Sequence, residues 1–450
     1  MMRPFRRLSG VLALLVLLLL ANLSWIQVLD ADAIRQRDGN TRILLEQYNK
    51  LRGPILVESA PIASSAHVSG ENVYQRSYLD GPLYASVTGY YSLLYGASGI
   101  ERVENGVLSG NDPRLFVDRV QQLFAGRRQS GGAVSLTLDA ATQRATYTAL
   151  NGTRGAAVAL NARTGAVLAL VSTPTFDPQM LAPNDPSRVR AEYERLSNDP
   201  AQPLLNRALD HTYSTTSAQQ LVLTVAALAT GGFTLDTTIP APARYTVATS
   251  KRVVTTADGR ACTSTRRITL GAALRTGCTT AFAWLGDQLG SDSVANTSQQ
   301  LGFDSVHNIP LHAVPSLIGQ GGTAQVTVLQ LAMLASTIAN GGSTMRPYLV
   351  RDVRGPDLAV LERTAPAEYG SPVSTTAATR IGRIMRSAAT ASCTECRGIP
   401  QLHLLTSSNG AASVIAYAGD VAIAVVIEPT DQKTAIATVL SMLAAVKPAA

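Results

Sequence analysis

The amino-acid sequence predicts an α+β protein of two domains carried on a single N-terminal membrane helix. Three observations predict it: an uncharged apolar run near the N-terminus, apolar strand pairs towards both ends of the C-terminal region, and helical apolar periodicity between those pairs. Hydrophobic residues make up 46% of the 450 and charged residues only 15%. That balance excludes a disordered chain and supplies material for a large core.

The apolar run comes first. Arg3, Arg6 and Arg7 precede it, no charged residue occurs from Leu8 to Leu29, and Asp30 and Asp32 follow. Such a stretch is long enough to cross a bilayer as a helix, and arginines in front with acids behind place the N-terminus in the cytoplasm and the rest outside. Trp25 stands where an interfacial aromatic belongs. A cleaved signal peptide ending at "ADA" (Ala31 to Ala33) is the competing reading, and the length of the run argues for an uncleaved anchor. The net charge of +7 is carried mostly by arginines scattered along the chain, which reads as a solvated surface. Nothing points to nucleic acid.

Residues 31–132 are rich in Tyr, Gly and Ser and end in the loop-like "RRQSGGA" (Arg127 to Ala133), a boundary between a first domain and a second, 133–450. The second domain opens with an alternating strand and a helix (Ala133 to Leu150), then two strands around the turn "NARTG". A helix follows from Ser217 to the Gly231-Gly232 stop, then helices over Thr269 to Leu289 and Thr327 to Asn340. A hairpin turning at Gly419-Asp420 and a closing helix from Thr434 to Val446 complete it. Strands from both ends of this region build one antiparallel sheet with a helical insert between them. All four cysteines, Cys262, Cys278, Cys393 and Cys396, fall outside the membrane, where disulfides persist, and proximity favours Cys262 with Cys278 and Cys393 with Cys396.

In this order the landmarks resemble a class B penicillin-binding protein, most closely the penicillin-binding protein A type of actinobacteria. The resemblance rests on "RGPIL" (Arg52 to Leu56), "YASVTGYYSLLYGASGIE" (Tyr84 to Glu101), "TLDAATQ", "LNARTGAVLALVSTPTFDP", "LLNRAL" and "IGQG" (Ile318 to Gly321) with the segment after it. It implies a membrane anchor (1–30), a non-catalytic pedestal (31–132) and a transpeptidase-like, penicillin-binding domain (133–450) that acts on peptidoglycan stem peptides through an acyl-serine, with no cofactor or metal.

The three motifs that such chemistry needs are all degenerate. The serine of SxxK aligns with Ser217 and its lysine, the base one helical turn on, with Gln220. In SxN the serine has become Gly277 and the asparagine Thr279; in KTG the lysine has become Ser408 and the threonine Asn409, leaving Gly410. None of the four lysines (Lys50, Lys251, Lys433, Lys447) lies three residues after a serine, so the base has not moved elsewhere in an SxxK. Ser217 then reads as a former nucleophile position kept as a helix N-cap.

These readings yield an expectation and two alternatives. The expectation is a catalytically inactive transpeptidase-fold protein at the outer face of the plasma membrane, a scaffold or regulator of wall-synthesis or division proteins. An active enzyme would need Ser217 with unusual partners such as His211 or His403. A sensor would bind stem peptides between Ser217, Thr279 and Asn409 without turning them over.

Overall fold

Two sheets organise the chain. Their strands, in chain order, are β1 (Ile55–Val57), β2 (Ala60–His67), β3 (Tyr74–Tyr78), β4 (Ala133–Leu136), β5 (Arg154–Asn161), β6 (Val167–Thr173), β7 (Val350–Arg354), β8 (Val360–Arg363), β9 (His403–Asn409), β10 (Ala411–Ala418) and β11 (Val421–Glu428). The helices that concern the site are α1 (Phe116–Phe124), α2 (Ala140–Leu150), α3 (Thr216–Ala229), α4 (Leu270–Thr276), α5 (Thr279–Gln300), α6 (Val328–Ala339), α7 (Thr375–Ser392) and α8 (Gln432–Ala445). This computed structural model describes residues 51–446 other than 69–73, 93, 125, 127–129, 249, 257, 304–316, 319–323 and 400, together with 12, 14–20 and 22. The membrane span expected over 8–29 and all of "IGQG" except Ile318 lie largely outside those residues. Among the described residues no helix is long and apolar enough to cross a membrane.

The transpeptidase-like sheet runs β9-β10-β11-β5-β6, every neighbour antiparallel. β10 and β11 are buried at almost every position rather than at alternate ones. The cause is cover on both faces: α6 packs on β5, β10 and β11 from one side, and α8 and α2 from the other. Val158, Leu160, Ala424 and Val426 face the first layer, and Ala157, Ala159, Val425 and Ile427 the second. Strands enclosed in this way read as unbroken apolar runs.

The other sheet, β8-β7-β4-β1-β2-β3, is assembled from three stretches of chain far apart in sequence. β4 begins immediately after the 132/133 boundary, yet it lies parallel to β1 (Ile55 opposite Val134) and antiparallel to β7 (Val353 opposite Val134). The pedestal sheet therefore incorporates a strand and a hairpin that the sequence reading assigned to the second domain. Its centre is a buried charge cluster. Arg52 and Arg76 donate through Nε to the two oxygens of Glu101 at 2.6 and 2.7 Å, and the Tyr78 hydroxyl donates to Glu101 at 3.2 Å. Burial alone would raise the Glu101 pKa, but the two guanidiniums overcome it and hold the carboxyl below its ordinary range. Gly53 is required beside Arg52, because a Cβ there would run into the backbone of Gly132.

One expected helix is two. The segment Thr269 to Leu289 breaks at Gly277, whose φ of 69° ends α4, and α5 starts at Thr279. A left-handed glycine stops a helix because it carries no Cβ penalty.

Candidate active site

The short strand Tyr213–Thr215 pairs with Ala324–Val326 and runs directly into α3. The first three turns of α3 are buried on almost every side, which explains the apolar run Leu221 to Ala227. Ser217 is 3% exposed and Gln220 6% exposed. The N-cap role expected for Ser217 does not hold. Thr215 occupies the cap position and α3 begins at Thr216, so Ser217 already lies inside the first turn. Its Oγ makes no hydrogen bond among the described residues. What fixes the start of α3 is Ser407 of β9, which accepts from the Thr216 N–H at 3.3 Å and shares a hydrogen bond with the Thr216 hydroxyl at 2.7 Å.

Ser217 and Gln220 open on a cavity of about 610 Å³. Its second wall is the end of α4, where a Cβ built on Gly277 would lie 3.9 and 4.0 Å from Oε1 and Nε2 of Gln220. The amide thus faces the position that SxN assigns to a serine. Its third wall is α7, with Ser387, Thr390 and Ser392, and its fourth is β9, with Leu405 and Thr406. Behind Gly277 the chain is tied by a disulfide between Cys278 and Cys262, with their Cα atoms 6.0 Å apart; a second joins Cys393 to Cys396 at the end of α7.

Not every expected site residue reaches this cavity. Thr279 turns to the Thr255 carbonyl, to which its hydroxyl donates at 3.2 Å. Ser408 is exposed and donates to Gln432 at 3.3 Å. Asn409 pairs with Ala411 across the hairpin tip, where Gly410 has a φ of 77°. Leu405 and Thr406 stand on the cavity where the alignment on Gly410 had put Ser408 and Asn409. An Asn-Gly pair is itself a strong hairpin-turn signal and marks this position as the tip.

The cavity wall contains one charged side chain among the described residues, Arg275, which is exposed at the mouth. A guanidinium stays protonated and takes no proton from a hydroxyl. Neither histidine weighed as a base borders the cavity. His403 Nδ1 donates to the Gly382 carbonyl at 2.6 Å, and its ring stacks on Tyr417 at 4.3 Å. Burial lowers its pKa against the raising effect of that bond, so its free nitrogen stays weakly basic under the sheet. His211 packs edge-on against Tyr213, with ring centroids 4.7 Å apart. The wall therefore offers hydroxyls, a neutral amide and a cation: groups that bind a polar or anionic ligand, with no unprotonated basic side chain for Ser217 among the described residues. Arg275 and the Ser/Thr row of α7 escaped the sequence reading because only the three-dimensional crossing of α4 and α7 brings them together.

Comparison with known proteins supplies the context. The penicillin-binding protein A dimerisation domain matches residues 52–134, and the penicillin-binding protein transpeptidase domain matches 155–404. The chain is 37% identical over 403 residues to the peptidoglycan D,D-transpeptidase PbpA of Mycolicibacterium smegmatis, covering 85% of this chain and 82% of that protein. It is 36% identical over 404 residues to PbpA of Mycobacterium tuberculosis, covering 84% and 81%. An imipenem acyl-enzyme complex of penicillin-binding protein A from M. tuberculosis aligns with a TM-score of 0.82 at 33% identity, over 89% of this chain and 99% of that one. The penicillin G acyl-enzyme complex of the same protein aligns with a TM-score of 0.81 at 32% identity.

Proposed function

Since this chain belongs to the class B penicillin-binding proteins of the A type, we propose that it is a peptidoglycan-directed member that has given up acyl transfer and acts by binding. The relatives carry the name D,D-transpeptidase, and the M. tuberculosis structures hold acyl-enzymes. One observation carries the different reading of this chain: Ser217 Oγ is buried without a hydrogen-bond partner among the described residues, and Gln220 stands one turn away where a base is needed. A serine hydroxyl is scarcely ionised near neutral pH, and loss of a positioned base alone costs about 10²- to 10⁴-fold in rate. A fold kept without its chemistry serves contact. The preserved pedestal and transpeptidase-like unit fit a scaffold or regulator of wall-synthesis or division proteins, anchored by residues 8–29 with the bulk of the chain outside the plasma membrane. Arg275 and the hydroxyls of α7 favour a second, compatible role, retention of a stem-peptide fragment without turnover.

Intact-mass spectrometry with penicillin G tests the proposal. A β-lactam is strained and more reactive than a peptide, so it is the lenient substrate. The expected result is an unmodified mass. An adduct that disappears in Ser217→Ala would overturn the reading and restore the active enzyme.

A further inference from the structure

The cavity beside Ser217 does not end at α4. A groove of about 360 Å³ adjoins it between α4 and α7, and Arg275 and Ser387 border both spaces. The two helices touch at Gly271, where a Cβ would sit 3.1 Å from Cδ1 of Ile384. Arg275 follows one turn along α4, and α7 turns Arg380, Arg383 and Ser387 to the groove, a spacing that keeps them on one face. The charged side chains of this groove are three guanidiniums and one carboxylate, and the carboxylate, Asp236, is paired with Arg380. Arg275 and Arg383 are exposed and have no acidic partner among the described residues. Like charges gathered in one groove repel, and an anion held between them relieves the repulsion. Arg386, the next arginine of α7, is spent elsewhere, donating to the Ile399 carbonyl at 2.6 Å.

The rest of the continuous space has a different character. Thr390 and Ser392 donate to the Ser387 and Ala388 carbonyls of their own helix at 2.9 and 2.8 Å, which leaves their oxygens free to accept. Gln220 presents an amide with both a donor and an acceptor. The Ser217 Oγ is buried with no partner among the described residues, and a buried hydroxyl in that state has a hydrogen bond still to make. Acceptors and an amide suit a ligand that carries N–H groups as well as carbonyls, which is a peptide. A phosphate, whose oxygens only accept when ionised, gains nothing from them. The guanidiniums only donate, and they suit an oxyanion at one end of that ligand. From Arg383 to Ser392 the axis of α7 runs about 13 Å at 1.5 Å per residue, the span of about four residues of extended chain.

We propose that the α4–α7 groove is an anion-binding extension of the cavity, in which Arg275 and Arg383 hold a carboxylate of an acidic peptide whose chain lies along α7 towards Thr390 and Ser392. The inference deepens the retention of a stem-peptide fragment proposed above and rests on it. Equilibrium dialysis of the full chain in non-ionic detergent tests it, with the radiolabelled tetrapeptide stem of peptidoglycan and with the same peptide amidated at its carboxylates. The parent is expected to bind the acidic peptide about tenfold more tightly than the amidated one. Arg275→Gln combined with Arg383→Gln removes that excess and leaves the affinity for the amidated peptide unchanged. Arg188→Gln, at an exposed position on a helix elsewhere, leaves the excess in place. Equal binding of the two peptides, undisturbed in the double variant, overturns the inference while retention in the cavity stands. Binding of neither peptide by the parent removes the retention reading and the inference with it. An excess lost as readily in Arg188→Gln assigns the effect to net charge and overturns the groove. Pyrophosphate that binds the parent more tightly than the acidic peptide, and fails to bind the double variant, overturns the peptide as occupant and gives the groove to a phosphorylated ligand.

Discussion

Replacing Glu101 by Gln tests the account of the pedestal directly. Glu101 is fully buried, and Arg52 and Arg76, 5% and 2% exposed, both depend on it for their counter-charge. An amide at 101 removes the negative charge and turns an NH₂ towards one of two Nε–H donors that now sit 2.6 and 2.7 Å from carboxylate oxygens. Breaking a buried pair from one side costs about 3 to 5 kcal/mol, because the orphaned charge remains in place. The surface pair Glu192–Arg195, three residues apart on an exposed helix, serves as the control; Glu192→Gln should cost less than about 0.5 kcal/mol. Urea unfolding of the two variants beside the parent gives both numbers. The sign of the pH dependence follows from the direction of the shift. Because the folded Glu101 pKa is lowered, its contribution is complete above the unfolded value, about 4.3, and is lost as pH falls through the folded one. The difference between parent and Glu101→Gln should therefore shrink below about pH 4. A cost under about 1 kcal/mol, or a cost unchanged from pH 7 to pH 3, would refute the reasoning.

Three further outcomes are expected. Gln220→Lys alone should yield no penicillin adduct by mass spectrometry, because the added amine meets a cavity whose SxN position is Gly277 and whose strand wall is Leu405 and Thr406, and catalytic groups act as a unit. Gly277→Ser should lower stability by roughly 1 kcal/mol, read as a drop in unfolding midpoint, since φ is 69° and the left-handed region is strained for any residue with a Cβ. Opening the Cys262–Cys278 bridge, a separation of 16 residues, with paired serines should cost about 3 kcal/mol; a melting curve indistinguishable from the parent's would count against the bridge as a pin for the end of α4.

Much of the transpeptidase-like unit was legible because its signals are local. The "NARTG" turn and the Gly419-Asp420 turn each sit between apolar runs that can only be buried strands, and Thr327, which caps α6 reciprocally with Gln330, announces its helix from sequence alone. What escaped is non-local. Nothing in "AVSL" says that it will lie parallel to Ile55–Val57, and nothing in 350–363 says that it will extend the pedestal, because partner choice in a sheet depends on how the whole chain closes. The cavity follows the same division. Ser217, Gln220 and Gly277 were placed by the family resemblance of the segments around them, and all three border the cavity. The register of β9 was not, because one surviving glycine, Gly410, belonged to the hairpin tip instead. Ser217 as a cap failed by two residues, the cap falling on Thr215, a boundary that propensity does not resolve.

The three-part pedestal sheet also determines how the molecule bears load. Under the anchoring proposed above, a pull from the N-terminal side enters β1 at its N-terminal end, while β4, lying parallel beside it, continues at its C-terminal end into α2 and the transpeptidase-like unit. Tension between tether and upper domain then slides β1 along β4 and stretches their hydrogen bonds together rather than opening them one after another. β7, fed from α6 and bound to the far side of β4, shares the same strain. Under that proposed anchoring the joint between β1 and β4 is a shear joint, so that tension on the anchored end reaches the cleft-bearing unit through aligned backbone.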